Sequence, residues 1–151
     1  MSSDPAAIHP PTTVPNPTII QCAADDFFIA TTPGGNALAI DVKAGRHAAP
    51  GPLELFLVGL GSCTAADVIS ILHKKREKVT DYRVEIRSQR RDEHPRAFRR
   101  IELKHILRGN HLSAEAVEHA IELSTSKYCS AIATVRATAE VVTSFEIVQE
   151  A

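Results

Sequence analysis

Cys63 and Cys129 are the side chains of this 151-residue chain best suited to covalent chemistry. Cys63 lies inside an unbroken apolar run, and Cys129 stands where a second such run begins. A thiol in apolar surroundings is inert unless its thiolate is favoured, so reactivity here depends on what folds against each sulfur. With Cys22 the chain has three cysteines, spaced too widely for a CxxC redox turn or for the close ligand pairs of a zinc finger. Neither a metal nor another cofactor is expected.

The elements that must carry these thiols follow from local patterning. Pro52 suits a first helical position, preorganised for an apolar run from Leu53 to Lys74 that should be buried on most sides. Lys74, Lys75, Arg76 and Lys78 suit the negative end of its dipole. On that helix Gly59, Leu60, Ala66 and Asp67 are the neighbours of Cys63: the small residues leave room beside the sulfur, while Asp67 would disfavour its charge. Glu54, nine residues before Cys63, turns to the opposite side at about 100° per residue. A contact between the two must therefore cross a subunit boundary or a bend. Ser126 is expected to cap a helix from Lys127 to about Ala139, which would make Cys129 its third residue, where free backbone N–H groups and the positive dipole end favour a thiolate.

The rest of the chain supplies a frame. Residues 1–17, rich in proline and small polar residues, predict a disordered tail, and residues 18–151 a single domain with a real core. Short β-branched runs at Thr18–Ile20, Phe27–Thr32 and Ala37–Ile40, with a turn at Pro33–Asn36, predict a strand meander. Alternating residues at Arg83–Ser88 and Arg100–Arg108 predict an antiparallel ribbon, Ser113 a cap for a further helix, and Val141–Val148 a last strand. No stretch of roughly 20 uninterrupted apolar residues suggests a membrane span, and the opening lacks the basic start and apolar centre of an export signal. A cytoplasmic protein with reduced thiols and no membrane partner is expected.

Gly51-Pro52-Leu53-Glu54-Leu55-Phe56, then Gly59-Leu60-Gly61-Ser62-Cys63, and much later Ser126-Lys127-Tyr128-Cys129-Ser130 resemble the OsmC/Ohr family of thiol-dependent hydroperoxide reductases, over about Pro50 to Phe145. Asp67-Val68-Ile69-Ser70-Ile71-Leu72 and Ser88-Gln89-Arg90-Arg91 are similar to its YhfA-like branch. The resemblance implies an α+β fold in which antiparallel sheets wrap around two long central helices, as an intertwined homodimer with active sites at the subunit interface. It implies that Cys63 is the peroxidatic thiolate, oxidised to a sulfenic acid by an organic hydroperoxide, and that Cys129 resolves it as a disulfide. A dithiol reductant, lipoyl-type in related proteins, would restore both thiols. Glu54 matches the family glutamate that orients and charges the active cysteine together with an arginine. The well-studied branches supply that arginine from the amino-terminal strands, whereas here no Arg, Lys or His falls between Thr18 and Asp41. Arg46, or its neighbour His47, on the loop before Pro52, is the candidate activating cation.

Simpler readings compete. Cys63 and Cys129 would also serve as small core hydrophobes, and Glu54 as a favourable charge in a first helical turn. Cys22 is expected to be a packed strand residue, His105 a hydrogen-bonded core histidine, and Asp67 a group that orients a backbone or a basic partner. Most of the seventeen basic residues fall between Lys74 and Arg108 in a chain of formal net charge −1, which predicts a basic patch. No aromatic residues interleave with them to stack bases, so nucleic acid is disfavoured. The function expected is thiol-dependent organic hydroperoxide reduction; the alternative is a non-catalytic module of the same fold that binds a small hydrophobic molecule at the dimer interface.

Overall fold

The structure, a computed structural model, describes residues 16–150; the expected tail at 1–17 lies outside them but for its last two residues. The chain divides into two compact units after Pro52, and each is described by itself.

The first unit is an antiparallel meander of β1 (Ile19–Ala24), β2 (Phe27–Thr31) and β3 (Ala37–Asp41), as the β-branched runs predict. The Pro33–Asn36 turn closes with Thr32 N–H donating to the Asn36 carbonyl at 2.8 Å. All of β1 is exposed, so Cys22 is not the packed strand cysteine that the sequence suggests. Among the described residues it is an outer strand, with a hydrogen-bonded neighbour on one side only.

The second unit opens with α1 (Pro52–Lys74), which starts at the expected proline and ends on His73 and Lys74. It does not bury most sides within this unit. Leu60, Gly61, Thr64, Val68 and Leu72 form one buried stripe at the helical repeat, while Leu53, Phe56 and Val58 stay exposed. At 23 residues, with mean hydropathy 1.9 in its most apolar window, α1 is long and apolar enough to cross a membrane, contrary to the expectation from the sequence. Its stripe instead packs on the core of this unit. Among the described residues it is the one long helix.

Then follow β4 (Val79–Arg90), β5 (Phe98–Gly109), α2 (Ala114–Leu123), a π-helical turn (Ser124–Tyr128), α3 (Ser130–Val135) and β6 (Glu140–Gln149). Ser113 caps α2 as expected, its hydroxyl accepting from Ala116 N–H at 3.2 Å. The sheet has the order β4-β5-β6, and it is mixed: β4 and β5 are antiparallel, but β6 runs parallel to β5. The expectation of antiparallel sheets fails here because the helices between β5 and β6 carry the chain back over the sheet, so β6 enters from the same end as β5. The inward residues of β5, Ile101, Leu103, His105 and Leu107, form the floor of the core. Helix and sheet approach so closely at Gly61 that a Cβ there would lie 2.3 Å from Ile86 Cδ1.

Candidate functional site

Cys63 sits mid-way along α1, half-buried, against an apolar cluster of Leu60, Phe98, Ile101, Leu103, Ile132 and Cys129. Residues 66 positions apart in sequence thus meet because α1 and the segment leading into α3 pack on the same end of the sheet. The Cys129 thiol, 2 % exposed, belongs to the buried cluster against which Cys63 packs, near enough for the two thiols to influence each other's ionisation.

The local setting of Cys129 differs from the sequence expectation. Ser126 does not cap a helix; it lies in the π-helical turn, and its hydroxyl donates to the Glu122 carbonyl at 2.8 Å. Cys129 itself is the N-cap of the short α3, its sulfur accepting from Ile132 N–H at 3.4 Å. Burial outweighs that favourable contact, and the neighbouring Cys63 thiol adds to it, so the thiol is pushed up to about 11. At neutral pH Cys129 is a protonated thiol, not the activated thiolate that its expected helical position implies.

Two hydroxyls missed by the sequence reading lie beside the pair. Thr64 Oγ1 and Ser124 Oγ are 2.9 Å apart and fully buried, and Ser124 Oγ also donates to Asp67 Oδ2 at 3.0 Å. The Ser124 carbonyl accepts from Cys129 N–H at 2.9 Å, the bond that closes the π-helical turn. Their only trace in the sequence is a threonine and an aspartate interrupting an apolar helix. Asp67 therefore orients a hydroxyl, rather than the backbone or basic group anticipated for it.

Glu54 occupies the first turn of α1 and is exposed. Since α1 is continuous from Pro52 to Lys74, no break intervenes to turn Glu54 toward the Cys63 of the same chain. Arg46 belongs to the first unit and is clasped there. It donates through Nε to Asp41 Oδ2 at 2.9 Å, through Nη2 to Asp41 Oδ1 at 2.7 Å and through Nη1 to Asp25 Oδ2 at 3.0 Å, with its guanidinium over the Phe27 ring. The paired guanidinium holds the Asp41 carboxyl well below the usual carboxylate range.

His105 is the hydrogen-bonded core histidine expected: it is fully buried and its Nδ1 is 2.7 Å from the Tyr82 hydroxyl. Burial lowers it to about 4. The basic ribbon is less one-sided than its composition. Arg83 pairs with Glu85, Arg100 with Glu102 and Glu140, and Lys104 with Glu146 across the outer face of the sheet. A cavity of about 810 Å³ lies between α2 and β6, and neither cysteine lines it. Among those residues no group of His, Cys, Asp and Glu could hold a metal ion.

A long helix packed on a three-stranded mixed sheet, with a separate three-stranded meander, defines a mixed α+β class of fold. Within that class the chain belongs to the OsmC-like protein family, whose family model matches residues 45–144, and it falls with the YhfA-like branch. Protein YhfA of Escherichia coli strain K12 is 38 % identical over 121 residues, covering 80 % of this chain and 90 % of that protein. The crystal structure of a hypothetical protein from Aquifex aeolicus VF5 is 31 % identical, with TM-score 0.80, covering 89 % of this chain and 97 % of that one. At 13 % identity, the organic hydroperoxide resistance protein OhrB of Bacillus subtilis shares the fold with TM-score 0.61, covering 87 % of this chain and 98 % of its own.

Proposed function

We propose that this protein reduces organic hydroperoxides with Cys63 and Cys129. The observation that carries this reading is the packing of both cysteines in one apolar cluster. The Cys63 thiolate attacks the terminal oxygen of the hydroperoxide; an S–O bond forms, the O–O bond breaks, and the alkoxide leaves and takes up a proton as an alcohol. Sulfur loses two electrons to the peroxide and becomes a sulfenic acid. Cys129 then attacks that sulfur, the S–S bond forms, and hydroxide leaves as water with the proton of Cys129. A dithiol, lipoyl-type by family resemblance, reduces the disulfide by two exchanges and is itself oxidised to a disulfide. Leu60, Phe98, Ile101 and Ile132 give the pair apolar surroundings suited to an organic rather than an inorganic peroxide.

The reading includes a homodimer, in which Glu54 of one copy orients Cys63 of the other, since the angular placement on α1 leaves that route. Arg46 remains the candidate cation, although its charge is compensated by Asp41 and Asp25. Family residues 45–144 span both units, which supports residues 18–151 acting as one domain. Three unbridged cysteines suit the reducing cytoplasm. The rival reading, a non-catalytic module that binds a small hydrophobic molecule, is favoured by the protonated, buried Cys129.

Reduced protein treated with cumene hydroperoxide should lose two thiols and gain a Cys63 to Cys129 bond by mass spectrometry. Cys63→Ser should abolish peroxide consumption, and Cys129→Ser should leave a sulfenic acid on Cys63 that a specific probe labels. Unchanged thiol content in the wild type would instead support the binding module. Because burial holds the proton on Cys129, disulfide closure should accelerate with pH up to about 11.

A further inference from the structure

Ser124 stands at a junction that the chemistry above does not use. Its hydroxyl bonds Thr64, the residue next to Cys63, and Asp67, one turn further along α1. Its carbonyl accepts the N–H of Cys129. One residue therefore holds both thiol-bearing segments, through 2.9 Å and 3.0 Å bonds on one side and a 2.9 Å bond on the other.

We infer that Thr64, Ser124 and Asp67 are positioning residues that set the Cys63 to Cys129 approach for disulfide closure, an inference that rests on the thiol-pair reading. Apolar contacts between a helix and a turn tolerate sliding, whereas short directional hydrogen bonds among buried groups do not. Two fully buried hydroxyls that satisfy each other therefore fix the register of α1 against the π-helical turn. That turn matters in the same way. In an α-helical turn the Ser124 carbonyl would accept from Tyr128 N–H; the wider π turn gives that bond to Cys129 instead, and Cys129 then caps α3. A small misplacement of either sulfur leaves the first oxidation of Cys63 intact, since that step involves one sulfur, but slows the second step, which needs two in line.

The test separates closure from peroxide chemistry. In a Cys22→Ser background, reaction with an aromatic disulfide reagent such as 5,5′-dithiobis(2-nitrobenzoate) places a mixed disulfide on Cys63 and releases one thiolate; attack by Cys129 releases the second as the internal disulfide forms. Ser124→Ala and Thr64→Val should slow the second release by about tenfold or more and leave the first unchanged. Thr64→Ser, which keeps the hydroxyl, and Asp67→Asn, which keeps an acceptor oxygen, should close at nearly the wild-type rate. The paired change Thr64→Val with Ser124→Ala leaves no hydroxyl unmatched between them and should regain thermal stability without regaining closure. Closure within twofold of wild type in folded Thr64→Val would overturn the inference, as would its recovery in the paired variant. If Ser124→Ala does not fold, the Thr64→Ser and Thr64→Val comparison decides alone. Failure of the wild type to react with cumene hydroperoxide while this closure still depends on Thr64 would sink the peroxidase reading and leave the positioning role standing.

Discussion

The polar cluster of the first unit is charged, local and partly open to solvent, whereas the one beside the thiols is built on hydroxyls, joins distant segments and is buried. Asp41 gathers Arg46, Lys43 N–H and Ala48 N–H, all within seven residues of itself. Such a clasp shapes one loop. Ser124 reaches residues 60 and 57 positions away, so its bonds relate two elements of the fold. Full charges are tolerable where a guanidinium and a carboxylate pair in two places near the surface, while hydroxyls carry a much smaller desolvation cost in a closed core. The difference teaches that charge density and long-range connection need not coincide: the sequence points to arginines, while the segments that carry Cys63 and Cys129 are joined through a threonine and a serine.

The contrast can be broken at three depths. The deepest is the floor of the second unit. Leu103→Ala should remove about 2–5 kcal/mol of stability in denaturant unfolding, because Leu103 is fully buried and its loss leaves a cavity under both Cys129 and α1. A loss below about 1 kcal/mol would mean that this core is not the common support of the two thiols.

Next is acid. His105 is held neutral by burial, with its folded value down at about 4 from the ordinary 6.5. Between these values the unfolded chain binds a proton that the folded chain refuses, so stability is complete above about pH 6.5 and falls until about pH 4. The full drop is on the order of 3 kcal/mol. Thermal midpoints of wild type and His105→Leu across that window should diverge in slope, the variant being flatter; parallel curves would contradict the assignment.

The smallest effect belongs to the clasp. Asp41→Asn should speed amide hydrogen exchange in the loop from residue 42 to 51 while leaving the exchange of β5 unchanged. In the wild type the Asp41–Arg46 contribution is present above the ordinary carboxylate range and lost as pH falls below it, since the carboxyl is held low by Arg46. Faster exchange across the β5 amides in the variant would show that the clasp is not local.

Particular elements show how far reading residues in order can go. The start of α1 at Pro52, the Ser113 cap and the alternation of β4 and β5 were legible because each is written in neighbours a few positions apart. His105 was legible as a core residue from its place in the same alternation. The extent of burial of α1 was not: an all-apolar helix says that most faces avoid water, not which of them this unit covers. Cys22 misled for the same reason, since a β-branched strand can be an outer one.

Composition and local spacing sufficed for the helix that carries Cys63 and for the ribbon beneath it. The parallel course of β6, the capping role of Cys129, the clasp on Arg46 and the Thr64–Ser124 bond emerged only on folding. Each depends on which distant group arrives to satisfy a donor or an acceptor. Helix and strand formation is settled by bonds within a few residues, whereas the burial and hydrogen bonding that tune a thiol come from partners the chain meets only once it is packed.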